Sequence, residues 1–176
     1  LEGLDRYAQA PVWPAAFAAR VFKIAREGGD RLTYLKITGG ALRVREVLPG
    51  GTEKVNQIRL YSGTRYRTLD RAEAGTVCAV TGISWTRPGD ALGAEPAGLA
   101  PSLEPVLTYQ VLPPAGGDVH TQLQHLRQLE EEDPQLRVLW NEGAGEIHIQ
   151  LMGEIQLEVM SRLILERFGT EVSFGE

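Results

Sequence analysis

Only one cysteine, Cys78, occurs among the 176 residues, so a disulfide within the chain is excluded. It lies in the apolar run TVCAVTGI, where the expected role is that of a small buried hydrophobe. Long hydrophobic runs are missing too. No stretch approaches the roughly 20 apolar residues of a membrane span. The opening residues, LEGLDRYAQAP, have neither the basic start nor the apolar core of a secretory leader, so no membrane partner and a cytoplasmic location are expected. Histidine is scarce. His120, His125 and His148 are scattered, and the first two are five apart on one predicted helix, poor geometry for a shared metal. No metal site is expected, and the histidines read as exposed or edge residues. There is no G-x-x-x-x-G-K-[ST] phosphate loop, since Gly50-Gly51-Thr52-Glu53-Lys54 lacks both its spacing and its following helix. No nucleophile stands beside a base, and the carboxylates Glu130 to Asp133 read as a solvated helix end before proline. The chain is therefore expected to be no enzyme by itself and to hold no cofactor.

What is present is an ordinary globular composition, 43% hydrophobic and 23% charged, in a length that suits one or two domains. The net charge of −5 is unevenly spread. Residues 1–100 carry fourteen Lys+Arg against ten Asp+Glu, and residues 101–176 carry four against thirteen. Such asymmetry points to two modules with different surfaces, of which the first could meet RNA.

A boundary lies in GDALGAEPAGLAPSLEPV, Gly89 to Val106, rich in proline and small residues and without periodicity. Before it, the runs AARVFKIA, RLTYLKITG, ALRVREVL, EKVNQIRLYS and TVCAVTGI read as short strands separated by turns such as REGGDR and PGGT. This pattern predicts a small antiparallel β barrel. After it, VLTYQVLP reads as a strand. DVHTQLQHLRQLEEE reads as a helix capped by Asp118 and ended at Asp133-Pro134. LRVLWN and EIHIQL follow as strands, then a helix near Gly153 to Phe168 with Gly169 beyond, then TEVSF. In that second helix the apolar spacing marks Met152, Ile155, Val159 and Leu163, and Gly153 is expected to permit a tight turn. The order β-α-β-β-α-β is the ferredoxin-like arrangement. The expected organisation is a lead-in at 1–15, a barrel at 16–94, a linker at 95–105 and an α+β domain at 106–176.

Arginines are the strongest chemical signal. Arg43, Arg45, Arg59, Arg65, Arg67 and Arg71 fall on or between the barrel strands, with Tyr61 and Tyr66 among them. Guanidinium forks suit phosphate oxygens and aromatic rings stack on bases, so a barrel face carrying both can contact RNA. A solvated face salt-bridged to Glu46, Asp70 and Glu73 is the alternative.

Two stretches carry more than physical pattern. EAGTVCAVTGISWTRPGDALG, Glu73 to Gly93, resembles the end of the second domain of elongation factor G, with its A-G-[DE]-[IV]-x-A-[VI]-x-G-L and T-G-D-T-L. EEDPQLRVLWNEGAGEIHIQLMGEIQLEVMSRLILERFGTEV, Glu131 to Val172, resembles the third domain, with E-E-D-P-x-x-R-V and G-M-G-E-L-H-L-E in the same order. Leu151 replaces a glycine of that pattern and Gln156 its histidine. Gln156, Val159, RVFKI (Arg20 to Ile24) and LDRAEAG (Leu69 to Gly75) are closer to the tetracycline ribosomal-protection branch. The resemblance implies a ribosome-binding, non-catalytic segment of a translational GTPase. Its G domain, with GTP and magnesium, would precede Leu1, and LEGLDRYAQAP would be that domain's last helix. The implied partners are small-subunit ribosomal RNA, a small-subunit ribosomal protein and the protein's own G domain, with the chain a monomer. It implies RNA contacts at Lys36, Gly40, Arg43 and Arg45, with Arg65 and Arg67 as additions, a domain-interface role for Gly153, Glu154 and Gln156, and a hinge from Glu95 to Pro105. A free-standing two-domain adaptor that binds a protein partner is the competing expectation.

Overall fold

Two ten-residue runs, AARVFKIARE and DRLTYLKITG, form the longest strands, β1 (Ala18–Glu27) and β2 (Asp30–Gly39), paired antiparallel. They belong to a computed structural model that describes residues 11–98 and 104–175. The proposed end of a preceding helix at residues 1–10, and residues 99–103 of the linker, lie outside the described residues. The chain divides into two units, Leu1–Gly98 and Leu99–Glu176.

In the first unit, β3 (Ala41–Arg43), β4 (Gln57–Ser62), β5 (Arg65–Leu69), β6 (Arg71–Glu73), β7 (Val77–Thr81) and β8 (Ala91–Gly93) complete an all-antiparallel barrel. Its six-stranded sheet runs β5-β4-β7-β2-β1-β8, and β3 pairs with β6. Inward side chains of alternate residues, among them Val21, Ile24, Leu35, Ile37, Leu42, Ile58, Val80 and Leu92, make one core. Each large aliphatic group so buried contributes about 1.5–3 kcal/mol. Cys78 is in this core, as expected, and burial pushes its thiol up to about 12.

Three expectations need correction here. ALRVREVL is not one strand, because Arg45 adopts φ 68°, turns the chain, and leaves Val47 only an isolated bridge to Lys54. The stretch after Gly89 is not all linker: Ala91–Gly93 pairs with Ala18 to Arg20 on β1. Glu95 is not free to hinge. Its Oε1 accepts from Arg20 Nε at 3.1 Å and Arg20 Nη2 at 2.9 Å, and its other oxygen accepts from the Thr38 hydroxyl. These bonds hold the carboxyl below its ordinary range, the Thr38 bond most strongly. The lead-in likewise packs on the barrel, since the Gly40 N–H donates to the Pro14 carbonyl.

The second unit follows the ferredoxin-like order: β9 (Leu107–Leu112), α1 (Val119–Glu132), β10 (Arg137–Asn141), β11 (Glu146–Leu151), α2 (Ile155–Phe168) and β12 (Ser173–Gly175). The sheet runs β10-β11-β9-β12, antiparallel throughout. Asp118 caps α1 by accepting from the N–H groups of His120 and Thr121, and Gly169 closes α2 in the left-handed region. The carboxylate run at the end of α1 is more engaged than its sequence indicates. Glu130 accepts from the Val138 N–H at 2.8 Å, and Glu132 takes a bidentate bond from Arg167 at 2.7 and 3.0 Å, tying the C-terminal ends of the two helices together.

Two further differences concern α2. Its buried residues are Met160 and Ile164, whereas Ile155 is 82% exposed and Val159 58%. Gly153 has no positive φ and nothing within 4 Å of an added Cβ, so the turn there does not depend on glycine.

His125 is not a free surface histidine. Its ring stacks on Phe168, 4.0 Å between centroids and 5° from parallel, and its Nδ1 is buried without a hydrogen-bond partner. Desolvation lowers its pKa. The folded state therefore binds fewer protons than the unfolded state, whose histidine titrates near about 6.5. Stability of this unit is expected to be full above that pH and to fall as pH drops below it. The His125→Gln variant should flatten that dependence in urea titrations run on either side of pH 6.5, and a slope identical to the parent's would refute the assignment.

Candidate nucleic-acid interface

Arg43 closes β3 and Arg71 opens β6, and the register places them directly opposite each other. Like charges facing across an antiparallel pair are destabilising, so the arrangement calls for a compensating anion. Glu73 supplies part of it, 3.3 Å from Arg71 in a solvent-exposed pair. Another facing pair of arginines, Arg26 and Arg31, is treated differently: Arg31 donates to the carbonyls of Ile83 and Thr86. Among the described residues the Arg43 side chain makes no such bond; its backbone N–H donates to the Glu46 carboxylate at 2.9 Å and its carbonyl accepts from the Glu46 N–H at 3.3 Å.

Arg45 completes the set. Its backbone sits at φ 68°, a region that costs a non-glycine residue of the order of 1–2 kcal/mol. It is held there because its N–H donates to the Val55 carbonyl at 2.7 Å, and the Val55 N–H returns to the Glu46 carbonyl at 3.0 Å. Half-buried Val44 packs against the core and anchors the turn from within. The result is an open hollow of about 530 Å³ lined by Arg43, Arg45, Arg71 and Glu46 along with Ala41 and Val44. Three arginines line one shallow concavity, and guanidinium groups have the charge and fork geometry that suit phosphate oxygens.

A second hollow of about 380 Å³ adjoins it, sharing Ala41 and Arg71 and reaching Gly40 and Trp13. Lys36 joins the band from there, its Nζ lying 5.9 Å from the centre of the Trp13 ring. Lys36, Gly40, Arg43 and Arg45 thus fall along one continuous surface. Gly40 itself is fixed by packing: an added Cβ would lie 2.8 Å from the Phe17 nitrogen and 2.9 Å from the Ala15 oxygen.

Arg65 and Arg67 are not part of this band. They lie on β5, the edge strand, around a separate hollow of about 260 Å³ at the β4–β5 hairpin. Arg71 is one of the barrel arginines that the sequence offers for an RNA-facing surface, but it is not among the contacts that the resemblance implies. The signal for it is its register opposite Arg43, which joins residues 28 positions apart in a pairing that local pattern cannot show.

In the second unit, Glu154 is exposed at the start of α2 and makes no side-chain cap. Gln156 turns back on its own chain, its Oε1 accepting from the Met152 N–H at 2.7 Å, and so shapes the strand-to-helix junction. Among the described residues no group of three or more His, Cys, Asp or Glu could hold a metal ion, and no helix is long and apolar enough to cross a membrane.

A small antiparallel barrel with a cationic rim is thus joined in sequence to a ferredoxin-like unit. Residues 16–95 match the model for elongation factor G domain 2, and residues 103–176 match that for elongation factor G, domain III. Elongation factor G 2 of Streptomyces coelicolor is 31% identical over 99% of this chain, and elongation factor G of Ureaplasma parvum is 32% identical over 90%. The fold matches a crystal structure of a Thermus thermophilus protein at a TM-score of 0.73, with 24% identity, over 98% of this chain and 26% of that one. The chain belongs to the elongation factor G family, and it spans about a quarter of the length of these relatives.

Proposed function

We propose that this chain is the part of a translational GTPase that docks on the small ribosomal subunit and relays the nucleotide state, without catalysing hydrolysis itself. The observation that carries the reading is the hollow of Arg43, Arg45 and Arg71, with two arginines facing each other and the third in a costly backbone conformation. Such strain persists where the surroundings over-determine it and a site has use for it. The arginines take backbone phosphates of ribosomal RNA and position the barrel without reading sequence. GTP and magnesium belong, on this reading, to a G domain elsewhere in the whole protein. The third-domain unit meets that domain or the ribosome through the exposed Ile155 and Val159, one turn apart on α2 beside Glu154 and Gln156.

Directed cleavage tests the contact. Val47 is exposed and two residues from Arg45, and the only native thiol, Cys78, is buried. Val47→Cys therefore gives a single labelled position for an iron chelate. With the labelled chain bound to small subunits, cleavage confined to a short stretch of ribosomal RNA is expected. Bound chain with no RNA cleavage from this position would refute the docking face.

A further inference from the structure

The hairpin hollow that holds Arg65 and Arg67 differs in chemistry from the arginine hollow. Tyr61 and Tyr66 face each other across β4 and β5, with ring centroids 5.3 Å apart at 46°. Both rings are held in place. The Tyr61 hydroxyl donates to Glu27 at 2.6 Å, and the Tyr66 ring carries the Arg59 guanidinium 4.7 Å from its centre. Arg59 is itself fixed by Asp30 and Gln57. Tyr61 continues into Tyr34 and Phe22, at centroid separations of 5.6 and 6.2 Å, so an aromatic ladder crosses the sheet behind the hollow. Tyr66 is 44% exposed. Leu60, Tyr61, Ser62, Arg65, Tyr66 and Arg67 line the space, and no acid is among them. Among the described residues neither Arg65 nor Arg67 takes part in an ion pair, so both cations are available to a ligand.

We infer that this hollow is a second RNA site, separate from the arginine hollow, and that it takes one unstacked base of a single-stranded segment. Tyr66 supplies the face on which the base stacks, Arg65 and Arg67 hold the flanking phosphates, and the Ser62 hydroxyl reaches the base edge or the ribose. Charge complementarity decides the occupant: two unpaired cations without a lining acid suit a polyanion, and a flat, pre-positioned ring suits a base. A duplex cannot use it, because its bases are already stacked. The inference rests on the proposal that the barrel binds RNA, and extends it to a second site of different selectivity.

The test measures fluorescence anisotropy of the 176-residue chain with a short unstructured RNA and with the matching duplex. Tyr66→Ala is expected to weaken single-strand binding about five-fold or more and to leave duplex binding unchanged. Tyr66→Ile, which keeps strand propensity and apolar bulk but has no aromatic face, should behave like the alanine variant, and Tyr66→Phe like the parent. Arg43→Ala with Arg45→Ala should do the reverse, weakening duplex binding most. Single-strand affinity unchanged in both Tyr66→Ala and Tyr66→Ile overturns the inference while leaving the arginine hollow intact. Duplex binding unchanged in the variant with both Arg43→Ala and Arg45→Ala is the result that counts against that other site. If the Tyr66 variants instead lose a ribosomal protein while RNA binding is untouched, a protein occupies this face and the inference fails.

Discussion

Gly40→Ala is expected to destabilise the barrel by about 2–5 kcal/mol. One part is conformational: Gly40 sits at φ 57°, where an L-residue costs about 1–2 kcal/mol. The other is steric. The atoms that an added Cβ would meet under 3 Å, the Phe17 nitrogen and the Ala15 oxygen, are backbone, so relief requires moving the chain that leads into β1. Overpacking of this kind costs about 1–3 kcal/mol. In a unit of this size the loss lowers the midpoint of the barrel's thermal transition by roughly 8–40 °C. Gly153→Ala is the built-in control, because it meets nothing within 4 Å and has no positive φ; its midpoint should hold or rise slightly. Equal midpoints for Gly40→Ala and the parent would show that Gly40 is kept for something other than packing.

Much of this architecture is legible along the chain. The alternation of β1 and β2, the Asp118 cap, the Asp133-Pro134 stop and the Gly169 terminus are local, and a local signal survives in sequence. The three-residue strands β3, β6 and β8 are too short to alternate, and what defines them is a distant partner. The buried face of α2 is misread for a related reason. The helix IQLEVMSRLILERF carries two apolar stripes, one through Ile155 and Val159 and one through Met160 and Ile164, and periodicity cannot say which of them meets the helix's own sheet. In the site, Arg43 and Arg45 stand out as clustered cations, but the left-handed backbone of Arg45 has no glycine to announce it, and Arg71 joins them only through a strand pairing.

The second large effect concerns RNA. Replacing Arg43, Arg45 and Arg71 with alanine together removes three cations from one hollow and leaves the fold intact. All three are exposed, the one ion pair lost is worth little at the surface, and the Arg43–Arg71 repulsion disappears. Thermal stability should hold or rise. Binding to ribosomal RNA should fall by one to two orders of magnitude at moderate salt, because each neutralised phosphate contact releases counterions and contributes roughly 0.7 to 0.9 to the slope of log affinity against log salt. The measurement that tests the account most directly is that slope, for parent and triple variant sedimented with small ribosomal subunits across a salt series. A slope shallower by about 2 to 3 in the triple variant, with its thermal midpoint unchanged, is the predicted result. Parallel salt dependences at equal affinity would contradict it, and would mean that the cationic rim of the barrel does not face the ribosome.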